Sequence, residues 1–279
     1  MKMHLYLYQL CLPLILYSSF ITAKNFAFDF GGVLLHTNKF KSLQYLGPLN
    51  LAEYAVYQQI NALNLNSHIQ TVLFTTLDAI AHDHNLNEIH AEYHPAYDEH
   101  GTQLPLIMCT WLQGTMSSSE IRSLIDTTIS NQPDLFKCPA EQRIFENTTS
   151  MIFTPEKFID SRTVSTEGIA FIKGLKNEGH TIYGLSNWDK DSKNLLKEKY
   201  PEFIDLFDDI LFSCDANANK PHRAIFDIFL ERNNLDPKQC IYVDDQKENI
   251  KTAKDLGFEA FLFKSFKKLT QDTSELRKS

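Results

Sequence analysis

Asp29 closes the apolar run Phe26-Ala27-Phe28, and Gly31 and Gly32 follow it almost at once. Residues of both parities are apolar here, which reads as a strand buried on both faces. A carboxylate at the end of such a strand is costly without a partner or a task. Glycines beside it let the backbone turn sharply and approach a ligand closely. Ligands of open α/β sheets bind at the carboxyl ends of the strands. Two readings stand at this point: a reactive carboxylate, or an Asp that ends a strand in a Gly-Gly turn.

Three later segments favour the first. Ser186 offers a hydroxyl, with Asn187 beside it. Lys220 precedes Pro221 at an expected helix start, so its ammonium can point into the same crevice. Asp244 and Asp245 add two carboxylates, and Asn249 follows one helical turn later. Carboxylates crowded into one crevice cannot all ionise at neutral pH without a cation. Oxygen ligands alone make Mg²⁺ the simplest choice.

A parallel sheet is needed to bring these residues together. From Val164 onward the pattern alternates between helix and strand. Strands are expected at Thr181–Leu185, Asp209–Ser213, Cys240–Val243 and Glu259–Phe263. Helices are expected at Thr166–Glu178, Asp191–Tyr200, Pro221–Asn233 and Asn249–Leu256. Short buried strands alternating with helices imply an α/β fold whose parallel sheet is covered on both faces. The Asp29 strand should be central, between those of Ser186 and Asp245, with the carboxyl ends facing the helical insert.

That insert occupies residues 39–163, where amphipathic helices are read at Leu51–Leu63, Ser67–Ala81, Pro105–Gln113, Ser119–Ile129 and Ala140–Met151. The catalytic core would then be residues 24–38 and 164–279. One connection in the insert holds His82, His84, His90, His94 and His100 among acidic residues. Their spacing imposes no convergent metal geometry, and a solvated loop is expected.

The ordered set Asp29-Phe30-Gly31-Gly32-Val33, Ser186, Lys220-Pro221 and Asp244-Asp245 resembles the four motifs of the haloacid dehalogenase-like (HAD) hydrolases. The resemblance covers roughly residues 25–263. It implies a Rossmann-like parallel core, the HAD fold, with residues 39–163 as an enlarged cap of the C1 type. It also implies a Mg²⁺-dependent phosphatase acting on a small phosphorylated metabolite. Asp29 would attack phosphorus and form an aspartyl-phosphate. Mg²⁺ would bridge Asp29, the Gly31 carbonyl, Asp245 and a phosphate oxygen, with Asp244 bound directly or through water. Ser186 and the Asn187 backbone N–H would hold phosphoryl oxygens. Lys220 would neutralise the nucleophile and the charge of the transferring group.

One position departs from the family pattern. Its phosphatases usually carry a second Asp two residues after the nucleophile as general acid/base, and here that place is Gly31. A positioned general acid contributes typically ~10²–10⁴ in rate. A leaving group that needs little protonation, or His36 or Asp189, could meet the deficit. Two other readings follow. A metal-free 2-haloacid dehalogenase, with Asp29 displacing halide, has no use for both Asp244 and Asp245. An exported binding or effector protein with weak or lost turnover would fit Gly31, with the large insert as its interaction surface.

Composition limits the alternatives. The chain has 279 residues, 43% of them hydrophobic, enough for a sizeable core in one or two domains. A formal charge of −8 and the lack of a dense Lys/Arg block exclude a nucleic-acid surface. Residues 1–23 run from a basic start through the apolar stretch Leu5–Tyr17 to small residues, the layout of a signal peptide. Cleavage after Ala23 is expected, giving an exported periplasmic or extracellular product with no stable membrane insertion. The apolar stretch is shorter than the ~20 residues of a membrane span. Of the cysteines left, Cys214 and Cys240 read as buried thiols, and Cys109 with Cys138 is the expected pair should any disulfide form.

Overall fold

The computed structural model describes residues 23–277, so the N-terminal stretch expected to be a cleaved signal lies, up to residue 22, outside the described residues. Strand β1 (Asn25–Phe28) leads into a tight turn, in which the N–H groups of Val33, Leu34 and Leu35 all donate to the Phe30 carbonyl. Strand β2 (Leu35–Thr37) follows, and the chain then leaves the core.

Eight helices make up the excursion: α1 (Lys39–Leu46), α2 (Pro48–Tyr57), α3 (Leu65–Asp83), α4 (Leu86–Ile89), α5 (Leu106–Gln113), α6 (Ser118–Asn131), α7 (Pro139–Phe153) and α8 (Pro155–Asp160). Helix α3 buries Ile69, Val72, Leu73, Thr76, Leu77 and Ile80, the three-to-four spacing of a single helix face. Helix α6 starts in a reciprocal capping box, with the Ser117 hydroxyl accepting from the Glu120 N–H and the Glu120 carboxylate accepting from the Ser117 N–H. The chain returns as β3 (Arg162–Val164), antiparallel to β2, so both ends of the insert pass through one two-stranded stem.

The rest alternates as expected: α9 (Thr166–Asn177), β4 (Thr181–Ser186), α10 (Lys193–Lys199), α11 (Pro201–Ile204), β5 (Asp209–Phe212), α12 (Ser213–Ala216), α13 (Arg223–Asn233), β6 (Cys240–Asp244), α14 (Lys247–Asp255), β7 (Glu259–Leu262) and α15 (Phe266–Thr273). The main sheet has the order β5-β4-β1-β6-β7 with every pairing parallel, and β1 is central as expected. Alternation places Ala27, Tyr183 and Tyr242 in one buried layer, and Phe26, Phe28, Ile182 and Val243 in the other. Among the described residues no helix is long and apolar enough to cross a membrane.

Several boundaries differ from the sequence reading. The helix expected at Leu51–Leu63 is α2, Pro48–Tyr57: Gly47 at φ 79° and Pro48 start it early, and Tyr57 ends it. Helix α1 was not expected; none of its residues is buried, so it leaves no apolar stripe to read. Pro221 precedes α13 rather than beginning it, because His222 is the N-cap and its Nδ1 accepts from the Ala224 N–H. The expected pair Cys109 and Cys138 is not formed. Both are free thiols with local partners: the Ala96 N–H donates to Cys109, and the Glu141 N–H to Cys138. Cys240 is a buried thiol as expected, whereas Cys214, on the short helix α12, is only partly buried.

The histidine-rich connection is not wholly a solvated loop. His82 and His100 are exposed, but the His94 ring stacks on His222 with centroids 3.7 Å apart. Asn219 Nδ2 also donates to the carbonyls of His94 and Cys109, both at 2.8 Å. The connection is thus docked on the core loop that carries Lys220. Among the described residues, none of its histidines joins a cluster of three or more metal-ligating groups.

Candidate active site

The sheet register itself assembles the site. Phe28 pairs with Gly184 on one side and Val243 on the other, so the next residues, Asp29, Leu185 and Asp244, emerge at one level. Phe30 then anchors the Asp29 turn. Its ring is fully buried among Phe203, Phe207 and Phe212, with centroids 5.1, 5.2 and 5.7 Å away. Burying such a ring contributes about 1.5–3 kcal/mol. Room for it depends on Gly184, where a Cβ would stand 2.9 Å from the Phe30 ring.

Asp29 is 5% exposed, and its two oxygens differ. Oδ1 accepts from Ser186 Oγ at 2.8 Å and from Lys220 Nζ at 2.8 Å. Oδ2 has no protein donor among the described residues. Burial pushes the Asp29 carboxyl up to about 6, against the opposing pull of Lys220.

Lys220 is 1% exposed and uses all three ammonium protons: on Asp29 Oδ1, on the Leu185 carbonyl at 2.8 Å, and on Asp244 Oδ2 at 2.7 Å. Burial acts to depress its pKa, but Asp244 and Asp29 outweigh this and hold it above the ordinary lysine range. Its backbone is fixed by Asn187, whose Oδ1 accepts from the Lys220 N–H at 2.7 Å and whose Nδ2 donates to the Lys220 carbonyl at 2.9 Å. The Asn187 N–H has no protein acceptor among the described residues, so this residue serves Lys220 with its side chain and leaves its backbone donor free.

The adjacent acids are used differently. Asp244 is fully buried, and both of its oxygens are occupied. Besides Lys220, it accepts from the Tyr242 hydroxyl, the Gln246 N–H at 2.8 Å and Asn249 Nδ2 at 3.0 Å. Asp245 Oδ1 is buried with no partner. Burial, then the charges of Asp29 and Asp244, push the Asp245 carboxyl up to about 7. Gly32, at φ +71°, leaves room for it: a Cβ there would lie 1.9 Å from Asp245 Oδ2. At Gly31 a Cβ would meet only Asp29 Oδ2, at 3.9 Å, so the missing side chain is not a steric necessity.

Asp29, Asp244 and Asp245 each bring an oxygen within 4.8 Å of the others. Three carboxylates against one ammonium leave a deficit of positive charge, and the unpartnered Asp245 oxygen marks where it is unmet. An all-oxygen donor set of this kind fits a hard divalent cation such as Mg²⁺. The sequence reading thus brought together Asp29, Ser186, Lys220, Asp244 and Asp245, with Asn187 one layer behind. It missed Tyr242, which reads in sequence as an ordinary aromatic of a buried strand, and the role of Gly32. The two proposed stand-ins for the missing acid are not hydrogen-bonded to Asp29. His36 is exposed on β2, while Asp189 is fully buried and accepts from the N–H groups of Asp191 and Ser192 and from the Ser192 hydroxyl.

A family model described as a haloacid dehalogenase-like hydrolase matches residues 23–257. A D-ribitol-5-phosphate phosphatase of Bacteroides thetaiotaomicron is 25% identical over 246 residues, covering 85% of this chain and 90% of that protein. The bifunctional epoxide hydrolase 2 of Rattus norvegicus is 27% identical over 105 residues, which span 37% of this chain and only 19% of that protein. Among solved structures, a HAD family enzyme from Bacteroides thetaiotaomicron, in complex with magnesium and inorganic phosphate, superposes with a TM-score of 0.52. It is 17% identical, with 87% of this chain and 94% of that one covered, a likeness of fold.

Proposed function

The chain belongs to the haloacid dehalogenase-like hydrolases, and from that premise we propose that it is a Mg²⁺-dependent phosphohydrolase of a small phosphorylated metabolite, working through an aspartyl-phosphate at Asp29. The observation that carries this reading is the asymmetry of the nucleophile. One oxygen of Asp29 is tied down by Ser186 and Lys220, and the other is free beside a carboxylate cluster suited to a cation. The likeness to a sugar-alcohol phosphate phosphatase supports the substrate class.

In this mechanism Asp29 Oδ2 attacks phosphorus as the P–O bond to the leaving alcohol breaks, while Oδ1 stays on Ser186 and Lys220. The departing oxygen takes its proton from water, and a second water then cleaves the aspartyl-phosphate to inorganic phosphate and free Asp29. Lys220 keeps the nucleophile ionised and spreads its charge, with no proton to spare for the phosphoryl group in this arrangement. The free Asn187 N–H is the donor best suited to a phosphoryl oxygen. Asp29, the Gly31 carbonyl and Asp245 would hold Mg²⁺, with Asp244 acting behind them. When bound, the ion supplies positive charge for the phosphoryl oxygens and relieves the repulsion among the carboxylates.

Residues 39–163 act as a cap that carries selectivity, and the mature protein is exported once the chain is cleaved after Ala23. A metal-free dehalogenase is disfavoured, since the buried Asp245 Oδ1 would then be an unpartnered carboxylate oxygen with no task. The reading of a binding protein with lost turnover rests on Gly31 alone. A panel of phosphorylated metabolites assayed with Mg²⁺ and with a chelator separates these. The expected result is turnover of at least one sugar or polyol phosphate that stops on chelation. No turnover across the panel would favour the binding protein, and turnover that survives chelation would remove the metal from the mechanism.

A further inference from the structure

Tyr242 is fully buried on β6, two residues before Asp244, so both side chains lie on one face of the sheet. Its ring is packed edge-on by Phe226 and Phe258, with centroids 5.5 and 6.1 Å away. Its hydroxyl donates to Asp244 Oδ2, the same oxygen that accepts from Lys220 Nζ. The ring centroid is 5.7 Å from that ammonium. A phenylalanine would supply the same packing, so the hydroxyl serves Asp244 rather than the core. One residue further on, Asp245 Oδ1 is buried and has no donor.

We propose that Tyr242 is a positioning residue that divides the labour of the two adjacent carboxylates. By donating to Asp244 it keeps that carboxylate turned toward Lys220 and away from the cation, which is left to Asp29 and Asp245. Lys220 is thereby held against Asp29 Oδ1, and Oδ2 stays directed at the substrate. The proposal rests on the phosphohydrolase reading and adds to it a reason why two neighbouring acids are not equivalent ligands. Without the hydroxyl, Asp244 loses a donor on the oxygen it shares with Lys220, and its charge is drawn toward the cation.

The test is Tyr242→Phe in the full chain, which keeps the ring. Its turnover number should fall about tenfold, as expected for loss of a group behind a metal site. KM should stay close to wild type, and the melting temperature should fall only by the modest amount that losing one of Asp244's four donors entails. Calorimetric Mg²⁺ binding without substrate should become several-fold tighter, because Asp244 now shares in holding the ion. A merely structural lesion would weaken Mg²⁺ binding together with turnover, and that result overturns the proposal. An unchanged turnover number, or lost turnover with unchanged Mg²⁺ affinity, overturns it as well. If the wild-type chain turns over no phosphoester, the function reading fails, and the calorimetric comparison still decides the role of Tyr242.

Discussion

On one side of Asp29, Lys220 and Asp244 form a closed circuit in which all three ammonium protons and both oxygens of Asp244 are engaged. On the other side, Asp29 Oδ2 and Asp245 Oδ1 have no protein donor among the described residues, and Asp245 sits over a glycine that makes room for it. The difference separates what the fold fixes in advance from what it leaves to be completed. The closed half sets the orientation and charge of the Asp29 carboxylate before any ligand arrives, which is where preorganisation acts. The open half stores carboxylate repulsion that a cation would relieve.

Replacing the ammonium should have the largest effect. Lys220→Met leaves Asp29 and Asp244 as buried carboxylates without their counter-charge. Breaking a buried pair in this way costs about 3–5 kcal/mol, read as a lower denaturation midpoint. Turnover should also fall by about 10²–10³, the scale for losing a preorganised electrostatic group. A variant as stable and active as wild type would show that the circuit is not closed in solution.

Amides at the two adjacent acids sharpen the contrast, because the same change should act in opposite directions. Asp244→Asn should destabilise the metal-free protein, since it puts an amide where four donors converge. Asp245→Asn should stabilise the metal-free protein near neutral pH by removing a repelled charge, while weakening Mg²⁺ binding. The pH dependence follows from the same asymmetry. In the folded protein burial pushes the Asp29 and Asp245 carboxyls up from the ordinary 3.8, to about 6 and about 7, so the folded state holds their protons more tightly than the unfolded one. Their contribution to metal-free stability is therefore greatest in acid and is lost as pH rises toward 7. Thermal melts with Mg²⁺ should show a flatter slope over that window. Equal effects from the two amides would erase the distinction between the halves.

The two glycines offer the smallest test. Gly32→Ala drives a Cβ into Asp245 and strains a positive φ, for about 1–2 kcal/mol and weaker Mg²⁺ binding. Gly31→Ala places a Cβ in ordinary contact with Asp29 Oδ2, at 3.9 Å, and should leave both properties nearly unchanged. Gly31→Asp, for the same reason, should fold, and it should speed hydrolysis of ordinary phosphomonoesters if the missing acid limits the rate.

Much of this was legible in the sequence, for a physical reason. Strand ends have fixed places in a parallel sheet, so Asp29, Ser186, Lys220 and the Asp244-Asp245 pair could be assigned to one crevice from order alone. What escaped were relations across elements. Tyr242 looks like any aromatic of a buried strand until its hydroxyl is seen on Asp244. The docking of His94 on His222 joins residues 128 positions apart, which no local pattern encodes. In the insert, α1 buries none of its residues and exposes Phe40, so it lacked the periodicity by which helices are read. Cys109 and Cys138 could be paired on paper only, because each thiol is already engaged within its own segment.

The central claim is that Asp29 becomes covalently phosphorylated. Its most direct test is a rapid-quench reaction of the wild-type chain with an activated aryl phosphate and Mg²⁺, followed by borohydride reduction and peptide mass mapping. The expected result is a burst of aryl alcohol, a slower steady rate, and reduction of the Asp29 carboxyl to the alcohol of homoserine. Aryl alcohol released without a burst, with Asp29 unmodified under the same quench, would contradict it.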